Sequence, residues 1–293
     1  MIIKQYIQIT KPKIIFGNLT SVISGFFLAS QKEIDYLSLT ILLISIAIII
    51  ASSCILNNLI DKDIDKNMYR TKNRTLITGN ITNKKCLIYA TMLGVLGFSL
   101  LSNTINTLTV NLTILGYVVY VVIYSMYLKR TSAYSTIIGS ISGATPPVIG
   151  YCANSNNFDS SALILWIIFS VWQIPHFYSL ALLYIEDYQT VSIPVFPIKN
   201  SILLTKKHII FYIIIFIITT LLLTLTNHIN YTFSTIIELM NSYWLLISLK
   251  GYNIKDIKNN KIWAKKMFLL SIFAIIIFNL VIPIDRITQL NVK

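Results

Sequence analysis

Charged side chains are scarce in this sequence. They make up 12% of its 293 residues, against roughly a quarter in an ordinary soluble domain. That shortage excludes a soluble globular protein. With 55% hydrophobic residues and a mean hydropathy of +0.70, it points to a membrane protein. Cysteine is also rare. Cys54, Cys86 and Cys152 lie in or beside apolar segments without ligand-like spacing, which argues against a disulfide framework or a zinc site. Glycine and alanine are few while Ile, Asn and Lys abound, a pattern of codon bias in an AT-rich genome rather than of function. No polar stretch is long enough to build a second domain, so residues 1–293 read as a single intramembrane domain. Met1 to Thr10 lacks an apolar core followed by a small-residue cleavage site, and no cleavable signal peptide is expected. Acidic residues are outnumbered 11 to 24, giving a net charge of +13. Such an excess suits nucleic acid or anionic lipid, and only its placement separates them.

Long apolar runs are plentiful. A transmembrane helix needs about 20 mostly apolar residues. That ruler gives nine candidate spans, roughly 14–31, 37–57, 86–103, 107–127, 134–153, 162–183, 208–227, 230–249 and 266–284. The fold expected is an all-α polytopic bundle. The Ser, Thr and Asn that interrupt several spans are tolerated where neighbouring helices take up their hydrogen bonds. The connecting segments on one side carry 21 of the 24 Lys and Arg, leaving only Lys32, Arg286 and Lys293 on the other. By the positive-inside rule the N-terminus is cytoplasmic and the C-terminus outside, in the bacterial cytoplasmic (inner) membrane. The same asymmetry accounts for the net charge by the lipid bilayer, with no nucleic acid.

The densest charge lies in "NNLIDKDIDKNMYRTKNR", residues 57–74. Asn57, Asp61 and Asp65 are spaced i, i+4, i+8 and share one helical face, with Asp63 opposite. Mg²⁺ prefers hard oxygen ligands, and commonly takes one or two carboxylates, waters and substrate phosphates. An amide–carboxylate–carboxylate stripe at a membrane helix end suits a metal-bridged diphosphate. Arg70, Lys72 and Arg74 follow closely and could neutralise phosphate oxygens. The spacing alone is equally met by a solvated loop of mixed charge.

A second candidate is "WQIPHFYSLALLYIEDY", residues 172–188. Pro175 removes a backbone hydrogen bond within a span and predicts a kink. His176 and Asp187 are eleven residues apart, so an unbroken helix stacks them on one face. Asp187 then stands level with Asp61 and Asp65, and two acidic helix ends could share one metal–diphosphate cluster. His176 by itself reads first as a satisfied core histidine, and Glu186 points to solvent. In "LGYVVYVVIYSMYLKRTS", Tyr117, Tyr120, Tyr124 and Tyr127 follow helical spacing and end at Lys129 and Arg130. Tyrosines at an interface form a membrane belt, which is the reading for Tyr127. A stripe reaching deeper could stabilise a carbocation through its π faces. Gly139 and Gly143 make a GxxxG packing surface, and Pro146-Pro147 a break in the fifth span.

These residues carry a family resemblance. "NNLIDKDIDKNMYRTKNRTL", "VVIYSMYLKRTSAYSTIIGSISGATPPVIGYCA", "WQIPHFYSLALLYIEDYQTVSIPVFP" and "KPKIIFGNLTSVISGFFLAS" resemble the signature segments of the protohaem IX farnesyltransferases (haem O synthases). These are the haem-modifying branch of the UbiA-type intramembrane prenyltransferases. The resemblance runs to about residue 215 and fades in the last two spans. It implies nine helices around a central cavity open to the membrane. Two Asp-bearing motifs then hold the diphosphate of farnesyl diphosphate through Mg²⁺, with Asn57, Asp61 and Asp65 on the first and Asp187 on the second. Asp61, Asp65 and Asp187 would be the metal ligands. Glu186 departs from the lysine usual in the family.

The implied chemistry joins the farnesyl group to a vinyl group of haem b, with water added, giving haem O. Water must stay out until the carbon–carbon bond forms. Arg70, Lys72 and Arg74 would meet phosphate, Tyr120 and Tyr124 the farnesyl cation, Lys129 and Arg130 the haem propionates. His176 would be an axial ligand if not a core residue. A terminal oxidase receiving the haem is the implied partner. Two rivals stand beside this reading. A UbiA-type prenyltransferase of an aromatic acid or quinone precursor would share the acidic stripe but lack "WQIPHFY" and "YSMYLKRTS". A transporter would place its acids at mid-membrane and carry an internal repeat.

Overall fold

The computed structural model describes residues 2–31, 33–79 and 81–292, and every regular element among them is helical. Lys32 and Lys293, two of the three cations placed on the sparsely charged side, lie outside the described residues. Ten longer helices are numbered α1 Pro12–Ala29, α2 Tyr36–Ile60, α3 Asn83–Thr104, α4 Thr107–Val118, α5 Ser135–Gly143, α6 Thr145–Ser155, α7 Ser160–Leu183, α8 Ile202–Leu225, α9 Tyr231–Lys250 and α10 Ile257–Val292. Short helices precede or separate them, among them Ile2–Ile9 before α1, Lys62–Asn67 and Ile185–Thr190.

Seven helices among the described residues are long and apolar enough to cross a membrane. The chain is a multi-pass membrane protein. The α5–α6 pair and α9 occupy the remaining two expected segments. Helix is the form these runs must take, because hydrocarbon offers no partner to a free backbone N–H or C=O. Side-chain caps mark where several runs begin. Asp35 accepts from Ser38 N, Asn106 from Thr109 N, and Asp159 from Ser161 N and Ala162 N.

The expected break at Pro146-Pro147 falls at Ala144, between α5 and α6. Both prolines sit in the first turn of α6, where their missing N–H groups cost nothing. Pro175 behaves otherwise: α7 runs through it without interruption, and the break comes at Tyr184. His176 and Asp187 therefore do not stack on one continuous helix face, because Asp187 belongs to the separate Ile185–Thr190 helix.

α1 and α6 pack backbone against backbone. A Cβ added to Gly25 would stand 1.8 Å from the Pro147 carbonyl oxygen, and one on Gly150 2.0 Å from that of Val22. Small residues permit such approaches where lipid supplies little hydrophobic drive. A buried core runs through α7, α8, α9 and α10, with Phe169 against Phe278 and Phe216 against Trp244. Val95, Leu96, Phe273 and Leu280 are exposed, as lipid-facing residues should be.

Candidate active site

α2 ends at Ile60, yet the chain keeps a helical course into Lys62–Asn67. Asp61 N donates to Asn57 O (2.9 Å) and Asp65 N to Asp61 O (2.8 Å). Asn57, Asp61 and Asp65 therefore share one face and are 5%, 1% and 4% exposed. Asp63 points the other way, its side chain 65% exposed and held in a fork by Arg130 at 2.7 Å. That guanidinium keeps the Asp63 carboxyl at about 2, well below the ordinary carboxylate range.

Within the stripe most polar atoms have a fixed partner. Asn57 Nδ2 donates to Asp61 Oδ2 (2.9 Å) and to Ser125 Oγ (3.1 Å), and Asn57 Oδ1 accepts from Lys11 Nζ (2.6 Å). Asp61 Oδ2 also accepts from Lys129 Nζ (2.5 Å), and Asp65 Oδ2 from Arg74 Nη1. Asp61 Oδ1 is buried with no partner. A lone carboxylate oxygen out of water is expensive, which marks it as a place where a ligand belongs. A cleft of about 250 Å³ opens beside the stripe, lined by Lys11, Asp65, Asn73 and Arg74 among others.

Asp187 reaches this neighbourhood through backbone. Its Oδ1 accepts from Tyr69 N (3.2 Å) and its Oδ2 from Arg70 N (3.0 Å), tying the Ile185–Thr190 helix to the loop after the stripe. Ile64, Met68 and Ile193 bury a small apolar cluster between the same two segments. Among the described residues, no three His, Cys, Asp or Glu converge as a ready-made metal cage. The three expected metal ligands thus do not form one cluster: Asp61 and Asp65 face cations, and Asp187 is occupied by two amides. The oxygen donor set nevertheless suits a Mg²⁺ that takes one or two carboxylates and fills its shell with water and phosphate.

Several expected roles are redirected by packing. Arg70 stacks its guanidinium 5.1 Å from the Tyr184 ring centroid and Lys72 lies 4.5 Å from that of Tyr69. Both are exposed, so of the three basic residues after the stripe only Arg74 enters it. Lys129 and Arg130, expected at haem propionates, are committed to Asp61 and Asp63. His176 turns toward α10, its Nδ1 2.7 Å from Ser271 Oγ and its ring between those of Trp172 and Phe268. Glu186 is exposed and pairs with Lys261 at 2.9 Å.

The tyrosine stripe is also altered. Val119–Leu128 is a π-helix, and its wider turn rotates later residues away from their α-helical positions. Tyr120 and Tyr124 stack with ring centroids 6.2 Å apart, and Tyr117 reaches Ser52 on α2. Tyr127 is 62% exposed. Gly139 makes room for the Tyr124 ring, since a Cβ there would lie 2.8 Å from a ring carbon.

Lys11 and Ser125 are contributed by the fold and carried no signal in the linear spacing. Lys11 stands just before α1 with φ 55°, an uncommon backbone region for a lysine, and burial lowers its ammonium to about 8. Only tertiary contact brings it to Asn57, 46 positions away.

Comparison with known proteins follows the same outline. The UbiA prenyltransferase family matches residues 18–272. A Sodalis glossinidius protein named protoheme IX farnesyltransferase is 50% identical over 285 residues, covering 97% of this chain and 95% of its own. The Pectobacterium atrosepticum protein of that name is 49% identical, with the same coverage. Among solved structures, one from work on digeranylgeranylglyceryl phosphate synthase superposes with a TM-score of 0.77 at 18% identity, over 98% of this chain and 99% of the other. A UbiA homolog from Archaeoglobus fulgidus bound to GPP and Mg²⁺ gives 0.70 at 15% identity, over 95% and 99%.

Proposed function

Because the chain belongs to the UbiA prenyltransferase family, we propose that it transfers the farnesyl group of farnesyl diphosphate to a vinyl group of haem b, giving haem O and diphosphate. The unpartnered Asp61 Oδ1 in a buried stripe of amide and carboxylates is the observation that carries the prenyl-diphosphate half of this reading. Identity of about half, over nearly the full length of named farnesyltransferases, carries the haem half.

The bundle is read as nine spans around a central cavity, in the inner membrane, with the N-terminus cytoplasmic. Asp61 and Asp65 would hold Mg²⁺, with Asp187 alongside. When bound, Mg²⁺ neutralises negative charge on the diphosphate. Lys11, Lys129 and Arg74 converge on the same face and supply further positive charge as the carbon–oxygen bond breaks. Arg70 and Lys72 shape the loop rather than grip phosphate, and their exposed cations attract the anion from the cytoplasm. Tyr120 and Tyr124 present stacked faces to the allylic cation.

The vinyl carbon of haem b then bonds to farnesyl C1. Water captures the cation left beside the porphyrin ring, and a proton departs. Arg130 fastens the cytoplasmic end of the π-helix to Asp63. His176, held by Ser271, packs the wall between α7 and α10 rather than ligating iron. Haem O would pass to a terminal oxidase.

Membranes containing the protein, given haem b, farnesyl diphosphate and Mg²⁺, should form a haem heavier by one farnesyl group and one hydroxyl. Mass spectrometry of extracted haem reads this directly, and chelating Mg²⁺ should abolish it. Prenylation of 4-hydroxybenzoate with haem b untouched would overturn the acceptor and leave the prenyl transfer standing.

A further inference from the structure

Ser125 lies on the inner side of the π-helix, with a side chain that is fully buried. Its hydroxyl has a single proton, and the geometry spends it. Oγ donates to the Tyr120 carbonyl five residues earlier at 2.8 Å. The contact with Asn57 at 3.1 Å must therefore run the other way, with Oγ accepting from Nδ2. That single constraint fixes which end of the Asn57 amide faces inward. The NH₂ group is turned toward Ser125 and Asp61, and Oδ1 is left to Lys11 Nζ at 2.6 Å. It also settles which oxygen of Asp61 is tied, because Nδ2 holds Oδ2 at 2.9 Å and Oδ1 remains without a partner.

We propose that Ser125 is a positioning residue that locks the Asn57 amide and the π-helix into one register, so that Asp61 presents a free oxygen while Tyr120 faces the same site. π-Helices are rare and occur frequently at functional sites. Here the carbonyl that Ser125 satisfies belongs to the first of the two stacked tyrosines. One hydroxyl therefore couples the aromatic wall to the acidic stripe. The proposal rests on the prenyltransferase reading, in which Asn57 and Asp61 serve the diphosphate.

The test is a double-mutant cycle on the full-length chain in lipid nanodiscs, using haem b, farnesyl diphosphate and Mg²⁺. Ser125→Ala should lower kcat/KM for farnesyl diphosphate about tenfold, the scale of one or two lost hydrogen bonds to a charged network. In the Asn57→Ala background the same change should cost less than about twofold, because Ser125 acts through Asn57. Calorimetric titration with inorganic diphosphate and Mg²⁺ gives a second readout independent of turnover, and Ser125→Ala should weaken that binding in parallel. Should Ser125→Ala fail to fold, Ser125→Cys keeps the volume and weakens both bonds, and a loss of about threefold is expected, again absent beside Asn57→Ala. Wild-type kinetics and diphosphate binding in the single variant would overturn the proposal, as would losses that multiply in the double variant. A wild-type chain that binds diphosphate but makes no haem product fails the functional reading instead, and Ser125 is then decided by the calorimetry alone.

Discussion

Asp61 places one oxygen between Asn57 and Lys129 and leaves the other buried and free. Asp61→Asn should therefore cut turnover by at least about 100-fold, the usual loss when a charged group serving the transition state is removed. Asp65→Asn should do the same, while the protein still inserts and runs as a single species on size exclusion. Asp63→Asn disturbs only an exposed ion pair of about 0–1 kcal/mol and should keep activity within about threefold. Equal losses at all three positions would undo the distinction between the two faces. Lys11 adds a pH dependence. Burial lowers its pKa from the ordinary 10.5 to about 8, so in the free enzyme it is cationic below about pH 8 and neutral above. kcat/KM for farnesyl diphosphate should fall as pH rises through that value, and Lys11→Arg should move the fall to higher pH. Stability runs the opposite way. Between about 8 and 10.5 the unfolded chain holds a proton that the folded one has released, so this residue's contribution to stability rises with pH across that window.

At the scale of elements, the segment after α2 and the one after α7 are joined by the two amide bonds from Tyr69 and Arg70 to Asp187. Asp187→Asn keeps one acceptor oxygen without its charge and turns the other into an NH₂ donor facing a backbone N–H, so one bond is weakened and the other lost. It should raise the KM for farnesyl diphosphate about tenfold and speed tryptic cleavage after Arg70 and Lys72. Glu186→Gln, which removes only an exposed pair with Lys261, should change neither. The contact between α1 and α6 makes a separate test. Gly25→Ala sets a methyl 1.8 Å from a backbone oxygen, which cannot move like a side chain. The helices must part, at a cost of about 1–3 kcal/mol, visible as a lowered melting temperature.

For the whole molecule, the proposed orientation rests on the distribution of charge. With buried Cys54, Cys86 and Cys152 replaced, a cysteine at Lys258 should react with a membrane-impermeant maleimide only from the cytoplasm, and one at Asn227 only from outside. Reversed labelling would overturn the proposed topology.

Much of this protein follows from local rules that the sequence obeys. Apolar length sets the helices, because bilayer thickness and backbone hydrogen bonding leave no other form for such runs. The i, i+4, i+8 spacing set the acidic face, because the helical period continues past Ile60. The break near Pro146 was legible from the prolines themselves. Other features depend on neighbours distant in sequence. Whether α7 would end at Pro175 or at Tyr184 could not be read from one proline, since flanking helices restore what it removes. The tyrosine register hid a π-helix, whose wider turn has no compositional mark; within it Ser125 Oγ donates to the Tyr120 carbonyl and Gly139 leaves room for the Tyr124 ring. Arg70, Lys72 and Arg74 look alike in a row, yet only Arg74 turns inward, because aromatic rings capture the other two. Lys11 joins the stripe from 46 residues away, through a left-handed backbone that positions its ammonium on Asn57. Periodicity fixes which residues share a face; packing across the bundle decides which charge answers which.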